Sequence, residues 1–158
     1  MEKIKDGIYA FTRGLTTALG TDWSRTGMGF HMTQKHSKCN SRVPSCCKDG
    51  WRTVLTGSKF TTGAELRYTP VEGEALTVAW ALAKSRHFTF GNDKLIVLVD
   101  HKPLLKILGD RELADIENPR ILNLKQKTIR WRFSVEHMTG KYHHVADAMT
   151  RVPTEKPE

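Results

Sequence analysis

The sequence predicts a single α/β domain in which strands come first and helices alternate with strands afterwards. An uninterrupted aliphatic run at residues 95–99 is typical of a strand buried on both faces. An amphipathic helix pattern starts at a capping box around Thr69. Three alternating segments before residue 61, joined by a turn or a loop, favour an antiparallel meander. At 158 residues the chain is long enough to bury one sizeable core.

The charge balance favours a polyanionic partner. The formal net charge is +8, yet 17 acidic residues remain, so the chain is not a simple basic tail. No apolar run approaches ~18 residues, the length that a membrane span needs. Residues 1–5 lack the apolar segment of a signal peptide. We therefore expect an intracellular protein, cytoplasmic or nuclear, with no membrane contact.

The first part of the chain is expected to form three strands after a short lead-in. Residues 2–11 predict a short amphipathic helix or lead-in, weakened by Gly7. The first strand ends on a carboxylate, Asp22, and a turn signal follows it. The polar segment 35–50 is expected to be a loop. The predicted strands cover residues 16–22, 28–33 and 51–60.

The loop at 35–50 contains Cys39, Cys46 and Cys47. An odd number of cysteines without a secretory signal argues against a disulfide framework. Together with His36 they could form a four-ligand zinc set. Adjacent cysteines rarely both bind one tetrahedral ion, however, and the spacing matches no standard zinc module. Free thiols in a solvent-facing loop are the favoured interpretation, and a structural zinc site is the alternative.

The strongest helix signal begins at Thr69. Thr69 as N-cap, Pro70 at N1 and Glu72 at N3 form a capping box. We predict a helix that runs to about residue 88, because apolar residues recur at helical spacing. The predicted core-facing stripe is Val71, Ala75, Val78 and Leu82. Glu72 has a structural role in the cap, whereas Glu74 has none, so Glu74 is the better functional candidate.

The aliphatic strand at 95–99 is followed directly by Asp100. In open α/β sheets, ligands bind just outside the carboxyl ends of the strands. A carboxylate at that position is costly to desolvate unless a partner neutralises it. From this segment alone, two roles are open for Asp100: it caps a helix that starts near Pro103, or it is a functional acid.

The remaining chain predicts further helices and one more strand. The predicted elements are helices at 103–108, 119–132 and 143–151, a loop at 109–118 and a strand at 133–138. The final helix contains Asp147. Residues 153–158 are expected to be a disordered tail.

The helix predicted at 119–132 has a basic face. Arg120, Lys127 and Arg130 fall within about 80° of one another on a helical wheel. The apolar residues Ile121, Leu122 and Ile129 lie roughly opposite. Two interpretations are open: a solvated face, or a surface that binds nucleic-acid phosphates.

Four carboxylates are expected to meet at one edge of the sheet. Asp22 and Asp100 end strands, and Glu74 and Asp147 lie on helices that can pack at the same edge. Such acids cannot all stay ionised unless cations hold them together. Hard divalent ions such as Mg²⁺ or Mn²⁺ take oxygen ligands, and two of them about 4 Å apart can clamp an in-line phosphoryl displacement.

Four segments resemble a known family. They are TDWSRTGMG at 21–29, YTPVEGEAL at 68–76, VDHKPL at 99–104, and GK at 140–141 with VADA at 145–148. In this order and spacing they resemble the ribonuclease H domain of gypsy-like LTR-retrotransposon reverse transcriptases, a part of the Pol polyprotein. The resemblance extends from about residue 15 to 152. Residues 1–14 resemble the connection to an upstream polymerase domain.

The resemblance implies a ribonuclease H-like fold: a five-stranded mixed sheet, three antiparallel strands then two parallel ones, flanked by helices. It implies hydrolysis of the RNA strand of RNA–DNA hybrids, with two Mg²⁺ or Mn²⁺ ions. The family's metal-binding acids correspond to Asp22, Glu74, Asp100 and Asp147. His137, ten residues before Asp147, corresponds to a mobile histidine that aids product release or proton transfer. The alternative is a strand-end histidine without a role.

The resemblance also implies partners, an RNA–DNA hybrid and an upstream polymerase domain of the same polyprotein. Because the sequence starts near the domain boundary, it is expected to be an excised fragment, a separately encoded remnant or a domesticated copy. The alternative function is a non-catalytic nucleic-acid-binding module on the same fold. A transposase or integrase relative is disfavoured, since such enzymes usually close the metal site with a different late acid.

Overall fold

The computed structural model describes residues 8–36 and 50–138, together with the backbone of residues 3–5. The strands are β1 (Lys3–Lys5), β2 (Ile8–Tyr9), β3 (Thr17–Trp23), β4 (Gly27–Lys35), β5 (Trp51–Phe60), β6 (Leu95–Val99) and β7 (Ser134–His137). The helices are α1 (Pro70–Lys84), α2 (Arg86–Thr89), α3 (Pro103–Leu108) and α4 (Pro119–Thr128). Short 3₁₀ turns lie at Glu65–Arg67 and Leu113–Asp115.

The central sheet has five strands in the order β5-β4-β3-β6-β7. Strands β3, β4 and β5 form an antiparallel meander, and β6 pairs in parallel with both β3 and β7. All five residues of β6 are buried, as expected for a strand inside a parallel arrangement. The predicted five-stranded mixed sheet is therefore confirmed.

The main core lies between the sheet and the helices. Leu19 and Val97 project from adjacent strands into a cluster with Ala75, Val78 and Leu82 of α1. The last three belong to the apolar stripe that the sequence predicts for this helix. The opposite face of the sheet has a smaller cluster, Ala18, Ile96, Leu98 and Met138. Alternate residues of β3 and β6 thus face the two sides, as the pleat requires.

The start of α1 is fixed by the predicted capping box. The Thr69 hydroxyl accepts from the Glu72 backbone N–H at 3.3 Å, and Glu72 Oε1 accepts from the Thr69 N–H at 2.9 Å. One turn further, Gly73 lies directly against the Trp23 indole at the end of β3. The missing side chain at Gly73 therefore allows the first turns of α1 to approach the end of this strand.

Three predicted elements differ from the structure. Of the two alternatives for residues 2–11, a short helix or a lead-in, the helix is wrong, because β1 and β2 form a small antiparallel sheet there. The long helix stops at Lys84 and restarts as α2, since the Ser85 hydroxyl donates to the Ala81 carbonyl at 2.6 Å and competes with helix continuation.

The helix predicted at 119–132 ends at Thr128, whose hydroxyl donates to the Lys125 carbonyl at 2.8 Å. Consequently Arg130 lies beyond the helix. Ile129, predicted on the buried side, is 59% exposed. A helical wheel for residues 119–132 puts Ile129 on the apolar face and Arg130 on the basic face, but both residues follow the end of α4, so the wheel does not apply to them.

Several predictions concern residues outside the described ranges. They are the cysteine loop with Cys39, Cys46 and Cys47, the helix at 143–151 with Asp147, and the tail at 153–158. Within the described residues, the structure contains no helix of the length and apolar character that crossing a membrane requires.

Replacing Gly73 by Ala is expected to destabilise the fold, because the added methyl group would overlap the Trp23 indole. We expect the free energy of unfolding to fall by about 1–3 kcal/mol in urea denaturation. Gly63→Ala is the matched control, since a methyl group there meets nothing within 4 Å. Its effect should stay within about 0.5 kcal/mol. Equal effects of the two substitutions would contradict the close packing of α1 on β3.

Candidate active site

Two carboxylates lie at the same edge of the sheet because β3 and β6 are adjacent and parallel. Gly20 pairs with Leu98 in this ladder. Asp22 and Asp100 each follow two residues later along their strands, so they occupy equivalent positions at the carboxyl ends. Asp22 is 8% exposed within β3, whereas Asp100 is exposed just beyond β6. This is the edge at which open α/β sheets bind ligands.

Helix α1 adds Glu74 to this edge. The Glu74 side chain is 5% exposed and accepts a hydrogen bond from the backbone N–H of Trp23, the residue after Asp22. Its Oε2 atom is buried and has no hydrogen-bond partner among the described residues. A buried carboxylate oxygen without a partner is costly unless it is protonated or bound by a cation.

The electrostatics of Glu74 follow from this position. Burial, then the negative charges of Asp22 and Asp100, raise the pKa of Glu74 from its ordinary value of 4.5 to about 8. The hydrogen bond from the Trp23 N–H acts in the opposite sense but is outweighed. Without a cation, Glu74 is therefore mostly protonated at neutral pH, as expected when like charges share a site.

Glu72, on the same turn, has a different environment. Its carboxylate accepts from the Thr69 N–H, from Asn118 Nδ2 at 3.1 Å and from Arg120 Nη1 at 3.1 Å. Burial acts to raise the pKa of Glu72, but these hydrogen bonds and the Arg120 charge outweigh it and hold the pKa below its ordinary value. Glu72 thus joins α1 to the start of α4, and the structure agrees with its structural role.

His137 lies beside the carboxylate edge, the edge of the sheet that holds Asp22, Glu74 and Asp100. It ends β7, where it pairs with Val99, and its Nε2 atom is 3.2 Å from the Asp100 backbone carbonyl oxygen. The ring is half-buried. The structure therefore brings His137 next to Asp100.

The three predicted phosphate-binding residues are not brought together. Arg120 is ion-paired with Glu72, and its guanidinium carbon lies 4.2 Å from the centroid of the Tyr68 ring. Lys127 and Arg130 lie near Trp131, at the other end of α4. The basic residues of this segment therefore belong to two separate surfaces.

The chemistry of the donors fits a hard divalent cation, since the converging groups are carboxylates. Within residues 8–36 and 50–138, no three His, Cys, Asp or Glu side chains are already assembled as a metal cluster. The fourth predicted acid, Asp147, lies outside the described residues. Sequence reasoning missed Gly73, Tyr68 and Asn118, whose roles depend on contacts between distant segments.

Solved structures define the class of fold. LC11-RNase H1 in complex with an RNA/DNA hybrid superposes with a TM-score of 0.57 at 12% identity, covering 85% of this chain and 94% of that one. The foamy viral protease-reverse transcriptase in complex with dsDNA gives a TM-score of 0.59 at 16% identity, covering 84% of this chain and 25% of that one. The fold is that of ribonuclease H.

The sequence defines the family within this class. Residues 13–137 match the RNase H-like domain found in reverse transcriptase, and the chain belongs to this family. The Pol polyprotein of transposon 297 from Drosophila melanogaster is 31% identical over 101 residues, which cover 63% of this chain and 9% of the polyprotein. The chain spans about a tenth of the length of the curated relatives it matches. The predicted ribonuclease H domain of a retrotransposon reverse transcriptase is confirmed, and the gypsy-like subtype stays a prediction.

The raised pKa of Glu74 predicts a pH-dependent stability in the absence of metal. Between pH 4.5 and about 8 the folded protein holds a proton on Glu74 that the unfolded chain has released, so stability falls as pH rises through this interval. In EDTA, Glu74→Gln should therefore be more stable than the wild type at alkaline pH, by at least about 1 kcal/mol. The difference should vanish near pH 4.5. Parallel pH profiles of the two proteins in thermal unfolding would contradict the raised pKa.

Proposed function

We propose that this domain hydrolyses the RNA strand of RNA–DNA hybrids with the help of two Mg²⁺ or Mn²⁺ ions. The observation that best supports this is the convergence of Asp22, Glu74 and Asp100, with the Glu74 Oε2 atom buried and without a hydrogen-bond partner among the described residues. A carboxyl group whose pKa is raised by burial and by neighbouring acids, as that of Glu74 is, is typical of sites that bind cations or transfer protons.

The residues that would hold the ions are Asp22, Glu74 and Asp100, with Asp147 as the fourth acid that the family resemblance supplies. When bound, such ions activate a water molecule and neutralise the charge that develops on the phosphate. The Trp23 N–H fixes the Glu74 carboxylate, and the capping box fixes the helix to which it belongs. Glu74 must release its proton before it can act as an anionic ligand.

We assign to His137 a supporting role at this edge. Its Nε2 lies against the Asp100 carbonyl, so the imidazole is held close to the group that follows β6. It would assist product release or proton transfer rather than bind the ions.

The proposed substrate and partners follow from the relatives. A neighbour of the same fold, LC11-RNase H1, was solved in complex with an RNA/DNA hybrid. The sequence relatives are Pol polyproteins, so an upstream polymerase domain is the proposed partner. The proposed location is intracellular, in a cytoplasmic retroelement particle or in the nucleus.

A second candidate is a non-catalytic nucleic-acid-binding module. It is supported by the formal net charge of +8 and by the exposed basic residues Lys127, Arg130 and Arg132, which can hold a polyanion without catalysis. The two candidates differ in whether the carboxylates perform chemistry, which a cleavage assay decides.

The sharpest test compares two glutamates of one helix. Glu74→Gln should reduce cleavage of a labelled RNA–DNA hybrid in Mg²⁺ or Mn²⁺ by at least about 100-fold, because it removes a metal-binding carboxylate. Glu72→Gln is the matched control: glutamine still completes a capping box, so cleavage should persist with a modest loss of stability. Asp100→Asn should behave like Glu74→Gln.

Each outcome has a distinct meaning. Cleavage by the wild type and Glu72→Gln alone supports the proposal. Hybrid binding without cleavage by every variant, the wild type included, would favour the non-catalytic module. Equal cleavage by Glu74→Gln and the wild type would remove Glu74 from the site.

A further inference from the structure

We infer that the end of the domain opposite the carboxylates has a second binding surface, for single-stranded nucleic acid. Helices α1 and α4 both start at the carboxylate edge, where Arg120 contacts Glu72. Their last turns lie towards the opposite edge, where Trp131 Nε1, just after α4, donates to Thr89 Oγ1 of α2 at 3.0 Å. The helical path from Glu74 to Lys84, the last residue of α1, alone corresponds to roughly 15 Å. This second location is therefore separate from the candidate active site.

The distal surface, as we call it, combines apolar and basic side chains. Its members are Phe90, Ile129, Trp131, Lys127, Arg130 and Arg132. Phe90 is 57% exposed and Ile129 is 59% exposed, two of the three large hydrophobic residues exposed in the described part of the chain. The Phe90 and Trp131 rings meet edge-to-face with centroids 5.9 Å apart. The three basic side chains are all exposed.

Two cavities include Phe90 in their lining. One of about 310 Å³ is also lined by Arg130 and Arg132, and one of about 190 Å³ is also lined by Arg13 and His87. Among the described residues that line these two cavities, Asp93 is the only acid. The surface around the exposed ring is therefore predominantly positive.

Helix electrostatics explain part of this arrangement. Cations in the last turn of a helix are stabilised by its dipole, which accounts for Lys127. Arg130 and Arg132 lie past the end of α4, and the dipole does not require a large exposed ring at Phe90. Exposed aromatic groups next to basic residues are the features that bind single strands, since rings stack on bases and cations neutralise phosphates.

Charge and stacking favour a single strand over a second copy of the chain or a duplex as the ligand of the distal surface. The chain has a net charge of +8, so a second copy would bring like charge to a surface that is already positive. A duplex hides the faces of its bases, so Phe90 and Trp131 would have nothing to stack on. A single strand satisfies both the cations and the rings.

The test measures binding of a fluorescein-labelled oligothymidylate of about 20 nucleotides, longer than the sites of single-strand binders. The full chain is used in EDTA, so the result does not depend on metal or catalysis. Phe90→Ala should weaken binding by about 5- to 100-fold through loss of stacking. Leu66→Ala is the matched control, since Leu66 is 41% exposed elsewhere and should bind as the wild type does.

A second variant tests the charges. Arg130→Ala with Arg132→Ala should weaken binding and reduce the slope of log affinity against log salt by about 1.4, the value for two phosphate contacts on a single strand. Thermal unfolding of each variant establishes that it is folded.

Three outcomes would overturn the inference. They are no binding by the wild type, binding that neither the Phe90 nor the arginine variant changes, and a dimer that Phe90→Ala disrupts without affecting oligonucleotide binding. The last would assign the surface to a second copy. Because hybrid cleavage is measured separately with Asp100→Asn, failure of this inference is distinguishable from failure of the proposed catalytic function.

Discussion

Parallel pairing of β3 with β6 forces carboxylates into proximity, and the rest of the site depends on this constraint. The register that pairs Gly20 with Leu98 places Asp22 and Asp100 at equivalent strand ends. Glu74 then enters from α1 with its side chain buried, and its pKa rises because burial and two like charges disfavour ionisation. Three acids in such an arrangement are unfavourable for a metal-free fold, so the local sequence must hold them in place.

The surrounding residues supply that support. The capping box fixes the first turn of α1, and Gly73 lets this turn approach Trp23. Glu72 then ties the helix to α4 through Arg120. Two acids on one helix turn thus have opposite environments: Glu72 is surrounded by donors, while Glu74 lies near other acids. This contrast separates the structural carboxylate, Glu72, from the proposed metal ligand, Glu74.

Local signals explain what the sequence alone could predict. The aliphatic run of β6 and the capping box at Thr69 depend on neighbouring residues, so both were predicted correctly. Tertiary contacts explain the failures. The segment 2–11, for which a short helix was one of two expectations, includes β2, where the Tyr9 hydroxyl accepts from Arg52, 43 residues away. The ion pair of Arg120 with Glu72, 48 residues away, was likewise not predicted, because no local pattern indicates it, and phosphate binding by Arg120 stays a prediction.

The central claim is that Asp22, Glu74 and Asp100 form one site that a divalent cation stabilises. Calorimetric unfolding of the full chain over a series of Mg²⁺ concentrations tests it directly, because a ligand that binds the folded state raises the unfolding temperature with its concentration. We expect the unfolding temperature to rise for the wild type and for Glu72→Gln, and to rise much less for Asp100→Asn. The same unfolding temperature for the wild type at every Mg²⁺ concentration, or an equal rise in Asp100→Asn, would contradict the account.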